Sequence, residues 1–264
     1  RIEPGALELA EIPKRLLVVG SGAIGMEFAS FYAQMGSKVT VVEAMERILP
    51  VEDEDISAFA IKAFRKQGLE FHTGATLKRL APEGTGVVAE VEVAGQIHRI
   101  EADQAILAVG IVGNVENLGL EAVGVKVDRG HIVVNEWAET SVPGLYAIGD
   151  VAGPPWLAHK ASHEGVHCIE HIAGLKPSGL TAPIPGCTYS NPQIASVGLT
   201  EAAAKALIAS GCPGVTAFGT TGEGPSFSLQ ERKEAIDQLI KNGIPAAQIM
   251  VSTSCAALPE TLEL

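Results

Sequence analysis

Arg15-Leu16-Leu17-Val18-Val19-Gly20-Ser21-Gly22-Ala23-Ile24-Gly25-Met26-Glu27, joined by a short helical pattern to Lys38-Val39-Thr40-Val41-Val42-Glu43, decides the fold. The first five residues are largely apolar and end on glycine, as in a parallel strand buried on both faces. A helix follows from about Ile24 to Met35, and Gly36 is placed to end it. Lys38 to Glu43 then reads as a second strand, so residues 15–43 form a βαβ unit.

The glycine spacing in Gly20-Ser21-Gly22-Ala23-Ile24-Gly25 carries a chemical meaning. The first glycine permits a tight turn out of the strand, the second lets the backbone approach a pyrophosphate, and the third lets helix and strand pack closely. The helix start then offers unpaired N–H groups and the positive end of its dipole to the phosphates. An acidic residue, Glu43, stands at the end of the next strand, where it accepts bonds from the adenosine ribose hydroxyls. Its charge repels a 2′-phosphate and favours NAD over NADP, while the nearby Arg47 works the other way.

Outward from this unit, a second helix is expected from about Asp53 to Lys66, stopping at Gly68. Leu69 to His72 is strand-like. Val87–Val93 and Gln96–Ile100 read as an antiparallel hairpin turning at Ala94-Gly95. Asp103–Val109 and Leu145–Ile148 are apolar strands ending at Gly110 and Gly149. A helix covers Leu157 to Ala173, and a Pro/Gly-rich linker runs from Leu175 to Pro192. Gln193–Gly198 is a strand, and Thr200 opens an Ala-rich helix. After Cys212 the pattern restarts with strand Gly214–Phe218, a glycine-rich turn, helix Ser228–Lys241 and strand Gln248–Ser252.

The composition, 47% hydrophobic and 19% charged, supports a sizeable core. The formal net charge of −12 argues against nucleic-acid and anionic-membrane partners. No apolar run approaches the roughly 18 residues of a membrane span, and Arg1 to Gly5 lacks signal-peptide character. Cys168, Cys187, Cys212 and Cys255 are scattered, with no CxxC pair and no zinc spacing, so no metal is expected and a reducing, cytoplasmic setting is.

The stretches LVVGSGAIGME (17–27), VTVVE (39–43), AVGIVGNVENLGL (108–120), TSVPGLYAIGDVAG (140–153), WLAHKASHEG (156–165) and YSNPQIASVGLT (189–200) resemble, in order and spacing, the dihydrolipoamide dehydrogenase family of flavin-linked disulfide reductases. The resemblance implies that Gly20, Ser21, Gly22, Ala23, Ile24, Gly25 and Met26 contact NAD together with Glu43, and that Glu27 lies beside the nicotinamide and the flavin. Gly110 falls at the nicotinamide end. Asp150 matches the aspartate that binds the flavin's ribityl or phosphate region, and Trp156, Leu157, Ala158 and His159 match a second FAD-contacting run. The family's flavin-binding βαβ unit, its redox-active CxxxxC pair and its His–Glu base pair have no counterpart here. His159 and Glu164 have the separation of that base pair, but the residues around them match the flavin-side helix.

From about residue 207 the resemblance changes. Gly211-Cys212-Pro213-Gly214-Val215, Gly219-Thr220-Thr221-Gly222-Glu223 and Ser228-Leu229-Gln230-Glu231-Arg232 are similar to the dihydrodipicolinate synthase and N-acetylneuraminate lyase family. There the paired threonines, here Thr220 and Thr221, hold a substrate carboxylate. The family's Schiff-base lysine and tyrosine lack a matching segment.

The expected architecture is α/β: a Rossmann-like FAD/NAD-binding region with a parallel sheet and an antiparallel hairpin, followed by an incomplete (β/α)-barrel fragment. Residues 1–135 form the NAD-binding domain, 136–180 part of the FAD-binding region, 181–206 the start of a truncated interface domain, and 207–264 the barrel-like piece. The expected function is the NAD-binding portion of a dihydrolipoamide-oxidising, FAD-dependent enzyme, inactive alone. By resemblance that enzyme is a homodimer serving 2-oxoacid dehydrogenase complexes. The alternatives are a pyruvate-dependent lyase fragment and a non-catalytic chimera.

Overall fold

Strand β1 (Arg15–Val19) is buried on both faces, which explains its unbroken apolar run. Leu16 and Val18 point into one core with Met26, Ala29, Tyr32, Val39, Val41, Ile48, Leu49, Ala60 and Phe64. Leu17 and Val19 point into a second core with Val42, Ala75, Ala89, Val91 and Ala102. The computed structural model describes residues 9, 11–175, 183–218 and 228–252. Two compact units result, Arg1–Gly110 with Cys187–Leu264, and Ile111–Gly186.

In the first unit, β1 leads through the glycine turn into α1 (Ala23–Gln34), and Gly36, at φ 98°, reverses the chain into β2 (Lys38–Val42). Helix α2 (Glu54–Lys66) begins where the Asp53 side chain accepts the Asp55 N–H at 3.1 Å, with Glu54 and Asp55 in its first turn and Arg65 and Lys66 in its last. Strand β3 (Glu70–His72) then adds to β2. The chain continues through β4 (Ala75–Glu83), β5 (Gly86–Val93) and β6 (Gln96–Ala102), a three-stranded antiparallel sheet. It returns as β7 (Gln104–Leu107) beside β1. The parallel sheet has the order β3-β2-β1-β7, and the expected hairpin is present with Val93 opposite Gln96.

Strand β4 has no counterpart in the sequence reading. It is an edge strand whose register shifts between Leu77 and Arg79, it is largely exposed, and it carries Pro82, so neither alternation nor composition marks it.

The second unit contains α3 (Leu120–Val123), the short hairpin β8 (Val127–Asp128) and β9 (His131–Ile132), and α4 (Ala158–Ile172). Its core is small: Val125, Ile132 and Ala147, with Val115, Leu120, Val134, Val142 and Val151 around them. Leu145–Ile148 does not form the expected strand. Its only bridge among the described residues is Tyr146 to Glu139, and the next residues turn into a 3-10 helix at Gly149–Ala152. The apolar residues there fill a small core rather than a sheet. Trp137 stacks on His167 and His171, with ring centroids 5.0 and 4.5 Å apart.

Returning to the first unit, β10 (Gly186–Thr188), inside the expected linker, pairs with β11 (Ile194–Ser196). Helix α5 (Glu201–Ala209) is capped by Thr200, whose hydroxyl accepts the Ala203 N–H. Strand β12 (Val215–Ala217) pairs in parallel with β13 (Ile249–Val251), and α6 (Leu229–Lys241) connects them behind a Ser228–Glu231 capping box. Of the described residues, 111–175 and 183–186 group together, and 187–218 and 228–252 group with the parallel sheet.

Phe64 is fully buried at the centre of the first core. Replacing it with alanine should cost roughly 3–5 kcal/mol, read as a lower urea midpoint at an unchanged slope. A midpoint equal to wild type would contradict this packing.

Candidate nucleotide-binding site

The three glycines of the turn play three different roles. A Cβ on Gly20 would stand 2.2 Å from the Ala108 carbonyl oxygen, and φ there is 98°, so only glycine lets β1 turn against β7. A Cβ on Gly25 would stand 2.0 Å from the Gly20 oxygen, so the third glycine brings the helix onto the turn. A Cβ on Gly22 would meet nothing within 4 Å. Gly22 is the N-cap of α1, no side chain caps that end, and the first turn carries no acid. The helix start therefore presents N–H groups to open space, which suits a phosphate.

Glu43 sits where β2 ends and is 7% exposed. Its Oε2 accepts both the Ser21 N–H and the Ser21 hydroxyl at 2.7 Å, and its Oε1 accepts the Met45 N–H at 2.8 Å. A carboxylate offers about four acceptor positions, and three of them are taken by these protein donors. The sequence reading expected Glu43 to meet a ribose; in the structure its carboxylate clamps the glycine turn. Arg47 gives its guanidinium to the Pro50 carbonyl at 3.0 Å.

The other expected contacts divide sharply. Ala23 and Ile24 lie on the accessible start of α1, and Gly110, at φ 126°, ends the β7 segment in open surroundings. Met26 does not belong to this face. Its side chain is fully buried in the first core and its N–H is donated to the Gly22 carbonyl at 3.0 Å, so it supports the helix from behind. Glu27 is half-buried, and its Oε1 accepts the Tyr189 N–H at 2.7 Å. Asn191 likewise gives its N–H to the Ser30 hydroxyl oxygen at 2.9 Å, so residues 189–191 run along α1.

In the second unit, Asp150 is exposed in the 3-10 turn, and its carboxylate has no hydrogen bond among the described residues. Trp156 donates its indole N–H to His131 at 3.3 Å and stacks on that ring. Leu157 is the N-cap of α4, Ala158 is exposed, and the exposed His159 bonds through Nε2 to the Pro185 oxygen at 2.8 Å. Sequence reasoning missed what fixes the Asp150 turn. Buried Lys160 donates to the Gly149 and Gly153 carbonyls at 3.3 and 2.7 Å and pairs with Glu164 at 3.0 Å. Glu164 accepts the Gly149 N–H at 2.8 Å. The sequence signal was the i,i+4 Lys–Glu spacing, which ordinarily marks a solvated pair. Glu164 therefore belongs to this network and not to a pair with His159.

Cys168, Cys187 and Cys212 are free thiols, and burial, with the charge of Glu139, raises the Cys168 thiol above its ordinary range. Thr220 and Thr221 lie outside the described residues. Among the described residues no helix is long and apolar enough to cross a membrane.

The family model for pyridine nucleotide-disulphide oxidoreductases matches residues 3–165. The chain belongs to this family. A dihydrolipoyl dehydrogenase of Rhizobium etli is 56% identical over 205 residues, covering 76% of this chain and 43% of that protein. Among solved structures, LpdA from Mycobacterium tuberculosis superposes with a TM-score of 0.69 at 30% identity, covering 77% of this chain and 43% of the other. The HOCl-induced flavoprotein disulfide reductase RclA from Escherichia coli gives 0.71 at 29% identity, covering 76% and 46%. The chain thus spans less than half the length of these oxidoreductase relatives.

Removing one partner of the Lys160–Glu164 pair strands a buried charge and two carbonyls. Lys160→Ala should therefore lower stability by about 3 kcal/mol or more, seen as a lower thermal midpoint. A midpoint unchanged from wild type would show that the network does not hold the turn.

Proposed function

We propose that this chain is the NAD-binding portion of a dihydrolipoyl dehydrogenase. In that enzyme, dihydrolipoamide is oxidised to lipoamide, its two electrons pass through a disulfide and FAD, and NAD+ takes up a hydride with release of one proton. The observation that carries the reading is the open face at Gly22 backed by Glu43: a Cβ-free space at a helix start with the carboxylate that holds the turn beside it. The names of the matched relatives agree with it.

In this reading the first-turn N–H groups of α1 hold the pyrophosphate. Glu43 receives a ribose hydroxyl and disfavours a 2′-phosphate. Glu27, steadied by the Tyr189 N–H, borders the nicotinamide, and Gly110 leaves room at the end of β7. The nicotinamide ring, when bound, supplies the hydride acceptor. Asp150, with Trp156, Leu157, Ala158 and His159, contributes to FAD binding in the complete enzyme, which we infer to be a cytoplasmic homodimer working with 2-oxoacid dehydrogenase complexes. The 264 residues contain no CxxxxC pair, so lipoamide turnover is not expected of them alone.

For the tail we propose a βα piece of pyruvate-lyase type. Its support is the parallel β12–α6–β13 unit behind a capped helix, with Thr220 and Thr221 as the carboxylate-binding pair. Lys233 and Lys241 lie on or at the end of that connecting helix, so a borohydride-trapped pyruvate adduct is not expected.

Isothermal titration with NAD tests the main reading. Wild type should bind. Gly22→Val should fold normally, because nothing stands within 4 Å of the new Cβ, yet it should lose binding because its side chain occupies the phosphate space. Equal NAD binding by folded Gly22→Val would refute the proposal.

A further inference from the structure

In the second unit, one imidazole has both of its ring nitrogens committed. The β8–β9 hairpin turns at Arg129-Gly130, where both φ angles are positive, 46° and 79°, as the tightest hairpin loops require. The turn brings the Arg129 carbonyl oxygen to 3.1 Å from His131 Nδ1. On the other side of the ring, the Trp156 indole nitrogen lies 3.3 Å from His131 Nε2, with the ring centroids 5.9 Å apart and the planes tilted by 30°. The chemistry of the two partners settles where the proton sits. A carbonyl oxygen only accepts, and an indole N–H only donates. Nδ1 therefore carries the proton and Nε2 is bare, so the arrangement selects the neutral Nδ1–H tautomer of His131.

We propose that His131 is a positioning residue whose charge state decides whether Trp156 is held: the neutral ring accepts the indole N–H, and a proton on Nε2 releases it. With both nitrogens protonated, two N–H groups oppose each other and no acceptor remains for the indole. Imidazole changes charge between about pH 5 and 8, so the latch is closed toward the upper end of that range and opens toward the lower. The charged groups on the elements packed against His131 are Asp128 and Arg129 of its own hairpin, paired with each other at 3.2 Å, and Asp150 of the 3-10 turn. Neither ring nitrogen is bonded to any of these side chains. Trp156 adjoins Leu157, the N-cap of α4, so the latch ties the start of that helix to the hairpin. In the function proposed above this is the FAD-contacting run, but the latch rests on the two rings alone and its test uses no flavin.

The indole N–H of Trp156, observed by NMR in the full chain, reads the latch directly. The chain has two tryptophans, and Trp156→Phe identifies the signal by removing it. His131→Ala supplies the unlatched reference, and His131→Gln supplies an acceptor that does not titrate. At about pH 8 the wild-type indole proton should exchange with water about two- to tenfold more slowly than in His131→Ala, the protection expected of one hydrogen bond. At about pH 5 wild type should exchange as fast as His131→Ala, while His131→Gln stays protected at both values. His163→Ala, on α4, should behave as wild type does. Backbone amide spectra report whether each variant is folded; if His131→Ala is not, the divergence of wild type from His131→Gln on acidification carries the test. Equal exchange in wild type and folded His131→Ala at the higher pH would overturn the assignment. So would wild-type protection that persists at the lower pH, or a loss there that His131→Gln shares.

Discussion

The buried carboxylate of Glu43 is the junction on which the first unit depends. Its oxygens hold the Ser21 N–H, the Ser21 hydroxyl and the Met45 N–H. Its backbone N–H goes to the His72 carbonyl and its own carbonyl accepts the Ala75 N–H. One residue therefore fixes the turn after β1, the end of β2, the end of β3 and the start of β4. Hydrogen bonds to a charged group contribute about 1.5–3 kcal/mol each, and three of them offset the cost of burying the carboxylate. The same clamp orients the backbone that faces the open space at Gly22. The stability of the turn and the orientation of its backbone thus come from a single side chain.

Much of this was legible because backbone sterics dictate it. Gly20 and Gly25 are glycines for want of space, Gly22 for the sake of open space, and each role follows from its position in the repeat. The two-sided burial of β1 was legible from its unbroken apolar run, and the caps at Asp53, Thr200 and Ser228 from side chains that compete for helix-start N–H groups. Glu43 was legible as an acid at the right place, but its three protein donors were not, since they depend on where the chain after β2 returns.

What escaped the sequence lies where tertiary context outweighs local pattern. Strand β4 forms because β5 offers it a partner, despite Pro82 and exposed polar residues. Leu145–Ile148 stays irregular because, among the described residues, the second unit supplies only Tyr146 to Glu139 as a bridge there. Met26 looked like part of the nucleotide face from its place after the turn, but helical geometry turns it inward. Lys160, to which the sequence reading assigned nothing, is buried and donates to two carbonyls.

Glu43 clamps the turn, and its proposed second role is to select NAD over NADP. The most direct measurement is calorimetric titration of NAD and of NADP into wild type and Glu43→Gln. Glutamine keeps the size but loses the charge and one acceptor oxygen. Wild type should bind NAD at least about tenfold more tightly than NADP, worth about 1.4 kcal/mol, and Glu43→Gln should weaken NAD and narrow the gap. Equal affinity of wild type for the two nucleotides, or an unchanged preference in Glu43→Gln, would contradict that role.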